Sequence, residues 1–283
     1  HAFMGTLFII GTPIGNLGDL SPRAAEALRS VDLLVAEDTR VTRKLLNHLD
    51  AHTPCISYHD HSPPAQLSKI LDALKTGDVG QVSDAGSPTV SDPGASLVAA
   101  ASAKGHEVVA IPGPSAISAA LSIAGMDGNR FLFLGFLPRR KADRQAVLTS
   151  AATETGTVIA FETPRRAVAA IEDIEIVLGE RQIAVCREMT KMHEEVFRGT
   201  PLEAKEYFAA GPTRGEIVLD IEGASPQTVE VTDEAISDAI RKLTADGLTG
   251  RSLVEAVIDS TGAPRRRVYR LVTESESSKA DEA

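Results

Sequence analysis

Short apolar runs alternate with amphipathic stretches along most of the chain. Residues 6–10 (TLFII), 31–36 (VDLLVA), 79–82 (VGQV) and 106–111 (HEVVAI) are bounded by glycines or polar residues and are too short for buried helices, so they read as strands. Between them, residues 24–29, 41–49, 66–74 and 95–103 read as helices, and a further helix is expected at 117–124. Ser21 before Pro22 is a helix start: a capping hydroxyl, then a proline whose missing N–H costs nothing in the first turn. Strands alternating with helices predict a parallel sheet.

A second series opens with the apolar run at 130–137. Strands are expected at 157–161, 182–186 and 215–221, extended chain at 194–200, and helices at 167–177 and 202–209. Hairpin-like pairings near the end of this series predict a mixed sheet. Residues 126–129 (MDGN) read as a linker between two α/β domains, and residues 224–228 as a second, small and polar one. Helices at 232–244, 251–261 and 264–272 follow, with Gly262 as a turn. They resemble a helix-turn-helix module, and equally fit a helical cap packed on the main body. The expected division is therefore an α/β domain at 4–127, a second at 128–224, a helical module at 228–275 and a disordered acidic tail at 276–283.

Composition narrows the field. A chain of 283 residues with 43% hydrophobic residues can bury a full core. No apolar run reaches the roughly 18 residues of a membrane span, so no membrane association is expected. The formal charge of −10 gives no overall field for nucleic acid, leaving that role to local basic patches. Cys55 and Cys186 fit no metal or redox spacing, which points to a reducing cytoplasm. Met4 reads as the native start, after a three-residue remnant, with no secretory leader.

The chemistry-bearing residues gather at strand ends. The stretch 81–94 (QVSDAGSPTVSDPG) follows a buried strand and precedes a helix. Small residues there let the backbone approach a ligand, and prolines fix the loop; a rigid surface turn is the plainer alternative. Comparable Gly/Pro/Ser loops follow at 11–18 and 112–116. Three such loops along one edge of a parallel sheet define one cleft. Gly11, Gly15 and Gly18 do not have dinucleotide-fingerprint spacing, and no G-K-[ST] marks a P-loop. EDTR at 37–40 ends a strand, and Arg40, Arg43 and Lys44 begin the next helix against its dipole, as an anion site would or as a solvated face would. His59 and His61 lack a third ligand at a familiar spacing, so a polar loop is expected rather than a metal. Basic runs at 139–144 and 265–270 are phosphate-binding candidates or solvated faces.

In this order, GTLFIIGTPIGNLGDL, LVAEDTR, YHDH, VSDAGSPTVSDPG, IPGPSA, FLGFLPR, FETPRR and CREMTK closely resemble the ribosomal RNA small-subunit methyltransferase I family of the tetrapyrrole-methylase superfamily. The resemblance covers residues 6–223. It implies two α/β domains with S-adenosyl-L-methionine bound between them, a small C-terminal helical module, and homodimeric relatives. It implies 2′-O-ribose methylation of a cytidine in the decoding region of 16S RNA, on naked RNA or the 30S subunit. Carried onto matching positions, it places Pro13, Gly15, Asp84, Ala85, Gly86, Pro88, Val109, Ala110, Ser115, Leu134 and Met189 at the cofactor. Tetrapyrrole methylases usually carry G-D-P where this chain has S-D-A-G-S-P, which favours an RNA substrate over a porphyrin-like one.

Transfer to a ribose hydroxyl needs a base or electrostatic help. Candidate bases and orienting groups are Asp38, His59, Glu162 and Glu188, and Arg40 and Lys191 are candidates to hold phosphate or a developing alkoxide. Arg139, Arg140, Arg165, Arg187, Arg265 and Arg266 are candidate RNA contacts. Two other functions stay open on the residues alone: methylation of a small porphyrin-like molecule, and a nucleic-acid-binding regulator built on the last three helices.

Overall fold

The computed structural model describes residues 4–59, 61–209, 211, 215–225 and 232–281. The first half contains β1 (Leu7–Ile10), α1 (Pro22–Ser30), β2 (Leu33–Ala36), α2 (Thr39–His48), β3 (Cys55–Ser57), α3 (Pro64–Ala73), β4 (Val79–Val82), α4 (Ala95–Ala103), β5 (Val108–Ile111) and α5 (Ala116–Ala124). Its strands form one parallel sheet in the order β3-β2-β4-β1-β5. Strands expected at 31 and 106 begin instead at Leu33 and Val108. The Asp32 carboxylate is taken up by the Asp78 N–H at 2.8 Å, and the buried His106 ring by the Gly5 carbonyl at 3.1 Å.

Successive side chains reach opposite faces of the sheet. Leu34, Ala36 and Val82 pack with Ala24 and Leu28 of α1 and Leu45 and Leu46 of α2. Val35 and Val79 pack on the other face, with Ile70 and Leu71 of α3 and Leu97 and Ala101 of α4. The neighbours β1 and β4 therefore send their connections to opposite faces. Adjacent parallel strands that part in this way open a crevice beyond their carboxyl ends. Topology alone thus selects the space past Ile10 and Val82.

The second half contains β6 (Phe131–Phe136), α6 (Lys141–Ser150), β7 (Thr157–Glu162), α7 (Pro164–Leu178), β8 (Ile183–Arg187), β9 (Glu195–Gly199), α8 (Pro201–Ala209) and β10 (Ile217–Ile221). The sheet order is β6-β7-β10-β8-β9, with β6–β7 parallel and the other pairs antiparallel, so it is mixed as expected. No helix is expected from the basic run at 141–150. α6 forms there because Arg144 and Leu148 share a face and are both buried. One face of the sheet is covered by Leu148 of α6, Ile171 and Ile174 of α7 and Phe208 of α8. The other face is covered from the first half: Ile117 and Ala120 of α5 pack on Ile159, Cys186 and Val218.

The described residues from 225 onward form a separate compact unit. It holds α9 (Asp233–Ala245), α10 (Gly250–Thr261) and α11 (Arg265–Asp281) around Ile236, Ile240, Leu253, Val257 and Val268. Thr232 caps α9 by accepting the Ala235 N–H at 3.2 Å. α11 runs to Asp281, across residues expected from the sequence to form a free tail, and most of the expected linker at 224–228 lies outside the described residues. Among the described residues no helix is long and apolar enough to cross a membrane.

Candidate active site

Three loops meet beyond the carboxyl ends of the first sheet. The loop after β1 is stitched to the loop after β4 by a two-bond bridge: Thr12 N–H to the Gly86 carbonyl at 2.9 Å and Gly86 N–H to the Thr12 carbonyl at 3.1 Å. The rest of the β4 loop is held from beneath. Gln81, on β4, donates through Nε2 to the Pro93 carbonyl at 3.3 Å. Gly94 has φ +124, a conformation that L side chains rarely adopt, and a Cβ there would displace the buried Gln81 amide. Thr89 and Ser91 also have positive φ, 71° and 60°, a strain non-glycine residues hold only when their surroundings enforce it.

The third loop is the turn after β8. Glu188 and Thr190 have φ of 51° and 68°. Glu188 Oε1 accepts from Lys191 Nζ at 2.8 Å and from the Glu216 N–H at 3.0 Å. The Lys191 stem lies over Gly15, where a Cβ would approach Cγ to 2.7 Å. This turn of the second half is thus seated on the first loop of the first half.

Between the loops and the second sheet is a cavity of about 390 Å³. Ile14, Val90, Ile117, Phe136, Phe161, Met189, Ile217 and Val218 give it apolar walls, and Asp84, Asp92, Ser115, Glu162, Thr163 and Glu216 supply the polar groups. That size and mixture suit a small organic ligand. Glu162 is fully buried at the carboxyl end of β7. Its Oε1 accepts from the Thr163 N–H and from Arg166, both at 2.7 Å, while Oε2 has no hydrogen-bond partner. Asp92 is half-buried, and its carboxyl is pushed up to about 6, first by burial and then by the charge of Glu37, against the opposing effect of the Ser83 hydroxyl.

Of the expected cofactor residues, Asp84, Ala85, Gly86, Ser115 and Met189 line this cavity, whereas Pro13, Gly15, Pro88, Val109, Ala110 and Leu134 do not. Leu134 packs instead into the core under the second sheet's helices, and Val109 and Ala110 lie on the edge strand β5. Of the expected catalytic residues only Glu162 lines the cavity. Asp38 caps α2, accepting the Arg40 N–H at 2.8 Å and its guanidinium at 2.6 Å; this hydrogen bonding from Arg40 holds its carboxyl down to about 2, which makes it a weak base. Its own N–H donates to Asp84 Oδ1 at 3.1 Å, so it braces the cavity loop. His59 is exposed, its N–H bonded to Ser62 Oγ at 2.9 Å. Glu188 is held below the usual carboxylate range, chiefly by the hydrogen bond from Lys191, so these two maintain the turn.

Of the expected RNA contacts, Arg139, Arg140 and Arg165 are exposed, directly after β6 and β7, whose ends carry Phe136 and Glu162. Arg187 is committed to Glu195 at 2.7 Å. Arg265 lies 4.0 Å from Glu255, and Arg266 is exposed, both in the helical unit. Arg144, inside the same basic run as Arg139, is buried and forked onto Asp173 at 2.7 and 2.5 Å. The expectations from sequence missed Asp92, although S-D occurs twice in the loop that carries it, and missed Phe136, Thr163 and Glu216. Among the described residues no group of three or more His, Cys, Asp or Glu is placed to hold a metal ion.

The sequence profile of the tetrapyrrole (corrin/porphyrin) methylases matches residues 6–204. The fold agrees: a solved diphthine synthase superposes with a TM-score of 0.61 at 14% identity, covering 77% of this chain and 90% of its own. The chain belongs to the tetrapyrrole methylase family. Within it, the chain groups with the ribosomal RNA small subunit methyltransferases I. A protein of that name from Synechocystis sp. is 44% identical over 97% of this chain and 99% of its own length. Another, from Halalkalibacterium halodurans, is 38% identical over 94% of each.

Proposed function

We propose that this chain is an S-adenosylmethionine-dependent enzyme that methylates the ribose 2′-hydroxyl of a cytidine in the decoding region of small-subunit (16S) ribosomal RNA. The observation that carries the reading is a small-molecule cavity bordered by strands that run directly into exposed arginines. It occurs in a chain matched almost end to end by relatives named for ribosomal RNA methylation.

The residues present fit the cofactor. S-adenosylmethionine offers an apolar adenine face, several hydrogen-bond donors and a positive sulfur. The cavity offers apolar walls, the carboxylate of Asp84, and the hydroxyls of Ser115 and Thr163. Asp84, Ala85, Gly86, Ser115 and Met189 would hold the cofactor, with Pro13, Gly15, Pro88, Val109 and Ala110 in the strands and loops behind them. When bound, the cofactor supplies a methyl group on an electron-poor sulfur.

Arg139, Arg140 and Arg165 would take RNA phosphates, a role suited to exposed cations at the mouth of a cleft. β6 is an edge strand that leaves Phe131 exposed at 46%, which supports a homodimer that covers it. The working compartment is the cytoplasm, where the RNA is. The test is transfer of labelled methyl from S-adenosylmethionine to small ribosomal subunits, with the label mapped. Label on a cytidine 2′-oxygen of the decoding region is expected. Label on a base, or turnover only on a porphyrin-like acceptor, would overturn the reading.

A further inference from the structure

We propose that Asp92 is the proton acceptor for the hydroxyl group methylated in this cavity; the assignment rests on the methyltransferase reading above. The first support is placement. Asp92 lines the cavity and sits immediately before Pro93, whose carbonyl is held by Gln81 from the central strand β4, and Gly94, where a Cβ would displace the Gln81 amide. A carboxylate carried on a loop pinned to the sheet keeps its position, which proton transfer in a transition state requires.

The second support is availability. Four carboxylates line the cavity. Glu162 is paired with Arg166 through Oε1, and its Oε2 is buried. Asp84 accepts the Asp38 N–H. Glu216 is 74% exposed and paired with Lys191 at 3.2 Å. The Ser83 hydroxyl, which reaches the Ala85 and Gly86 carbonyls at 3.3 and 3.4 Å, lies beside Asp92 and acts to lower its proton affinity; among the described residues no cation is ion-paired with Asp92. The charges around it are those of Glu37 and Asp84 on its own side of the cavity and Glu162 and Glu216 on the side of the second sheet. Burial first, then the charges of Glu37 and Asp84, push its carboxyl up to about 6, close to working pH, where a general base is most effective. Asp38, held at about 2, is the opposite case.

The step balances. The hydroxyl proton passes to a carboxylate oxygen of Asp92 while the hydroxyl oxygen forms its bond to the methyl carbon. The electron pair of the broken sulfur–carbon bond stays on sulfur, which becomes neutral, and the proton on Asp92 then leaves to water.

The experiment compares wild type with Asp92→Asn, which keeps the shape and removes the basic oxygen. S-adenosylmethionine affinity is measured by calorimetry, kcat at saturating subunits across about pH 5 to 8, and the thermal midpoint over the same range. The expected result is a fall in kcat of about 10²- to 10³-fold, with Kd within about threefold and loss of the wild-type rise in rate near pH 6. The variant is also expected to melt above wild type at pH 7 and match it near pH 4, because an ionised, half-buried group has been removed. Ser83→Ala is the second variant. Loss of the Ser83 hydroxyl makes Asp92 more basic, so the limb in rate should move to higher pH. A kcat retained within about threefold in Asp92→Asn overturns the assignment. So does a Kd weakened more than about tenfold with kcat intact, which would make Asp92 a cofactor ligand, or an unmoved limb in Ser83→Ala. A wild type that binds S-adenosylmethionine and methylates no hydroxyl overturns the methyltransferase reading and the assignment together.

Discussion

The two sheets of the main body treat polar side chains in opposite ways. The parallel sheet keeps its strands largely apolar and places acids in the loops beyond them: Glu37, Asp38, Asp84 and Asp92 all follow the carboxyl ends of β2 or β4. The mixed sheet buries charge inside its own layers. Asp173 of α7, Glu162 of β7 and Asp220 of β10 are each about 1% exposed or less. Their partners differ. Asp173 is fully met by Arg144 and by Gln145 at 2.8 Å. Glu162 is met on one oxygen only. Asp220 has the Cys186 thiol at 3.7 Å and a second oxygen without a partner, and its carboxyl is pushed up to about 7 by burial. In the first half, then, function hangs on the shape of loops; in the second, on whether a buried charge is answered.

The largest effect should come from unanswering one. Asp173→Ala leaves the Arg144 guanidinium buried without its carboxylate and should cost about 3–5 kcal/mol in urea unfolding. Gly94→Ala tests the loop side: the new Cβ meets the Gln81 amide, and the expected cost is about 2 kcal/mol, with a matching loss of S-adenosylmethionine affinity by calorimetry. A larger cost for Gly94→Ala than for Asp173→Ala would reverse the contrast. Asp220→Asn sharpens it. Because the folded-state carboxyl titrates about 7 against an ordinary 3.8, wild type loses stability as pH rises from about 4 to about 7, and the loss is complete above that. The variant should melt higher than wild type at pH 8, by roughly 2–4 °C, and equally near pH 4. Least of all, Arg139→Ala and Arg140→Ala should each weaken RNA binding by about tenfold or less and lower the salt slope by about one, with thermal stability unchanged. A flat salt response would remove both from the RNA surface.

The same contrast explains what could be read from sequence. The parallel half announces itself, since short apolar runs ending in small residues give both strand and loop, and the loops that carry Asp84 and Ser115 are legible that way. The motif resemblance names Met189, a position whose neighbours in sequence say nothing of the α5 residues it packs beside. Buried charge is harder to see. Arg144 sits in a basic run with Arg139 and Arg140, and only packing of α6 on α7 turns it inward to Asp173. Asp220 interrupts an otherwise apolar strand without showing which face it takes. Asp92 belongs to a motif legible as a loop, but its altered proton affinity comes from burial and from Glu37 in the loop after β2, a relation set by the β2–β4 pairing.

Helix α5 leaves the first sheet and roofs the second, burying Ile117 and Ala120 there. Cutting the gene at the linker near residue 127 would therefore produce a first fragment with a greasy helix and nothing beneath it, and a second with an uncovered sheet. Neither piece is a natural unit for separate expression or for shuffling with relatives. A split version should instead break on the surface of one half and keep α5 with the strands it covers.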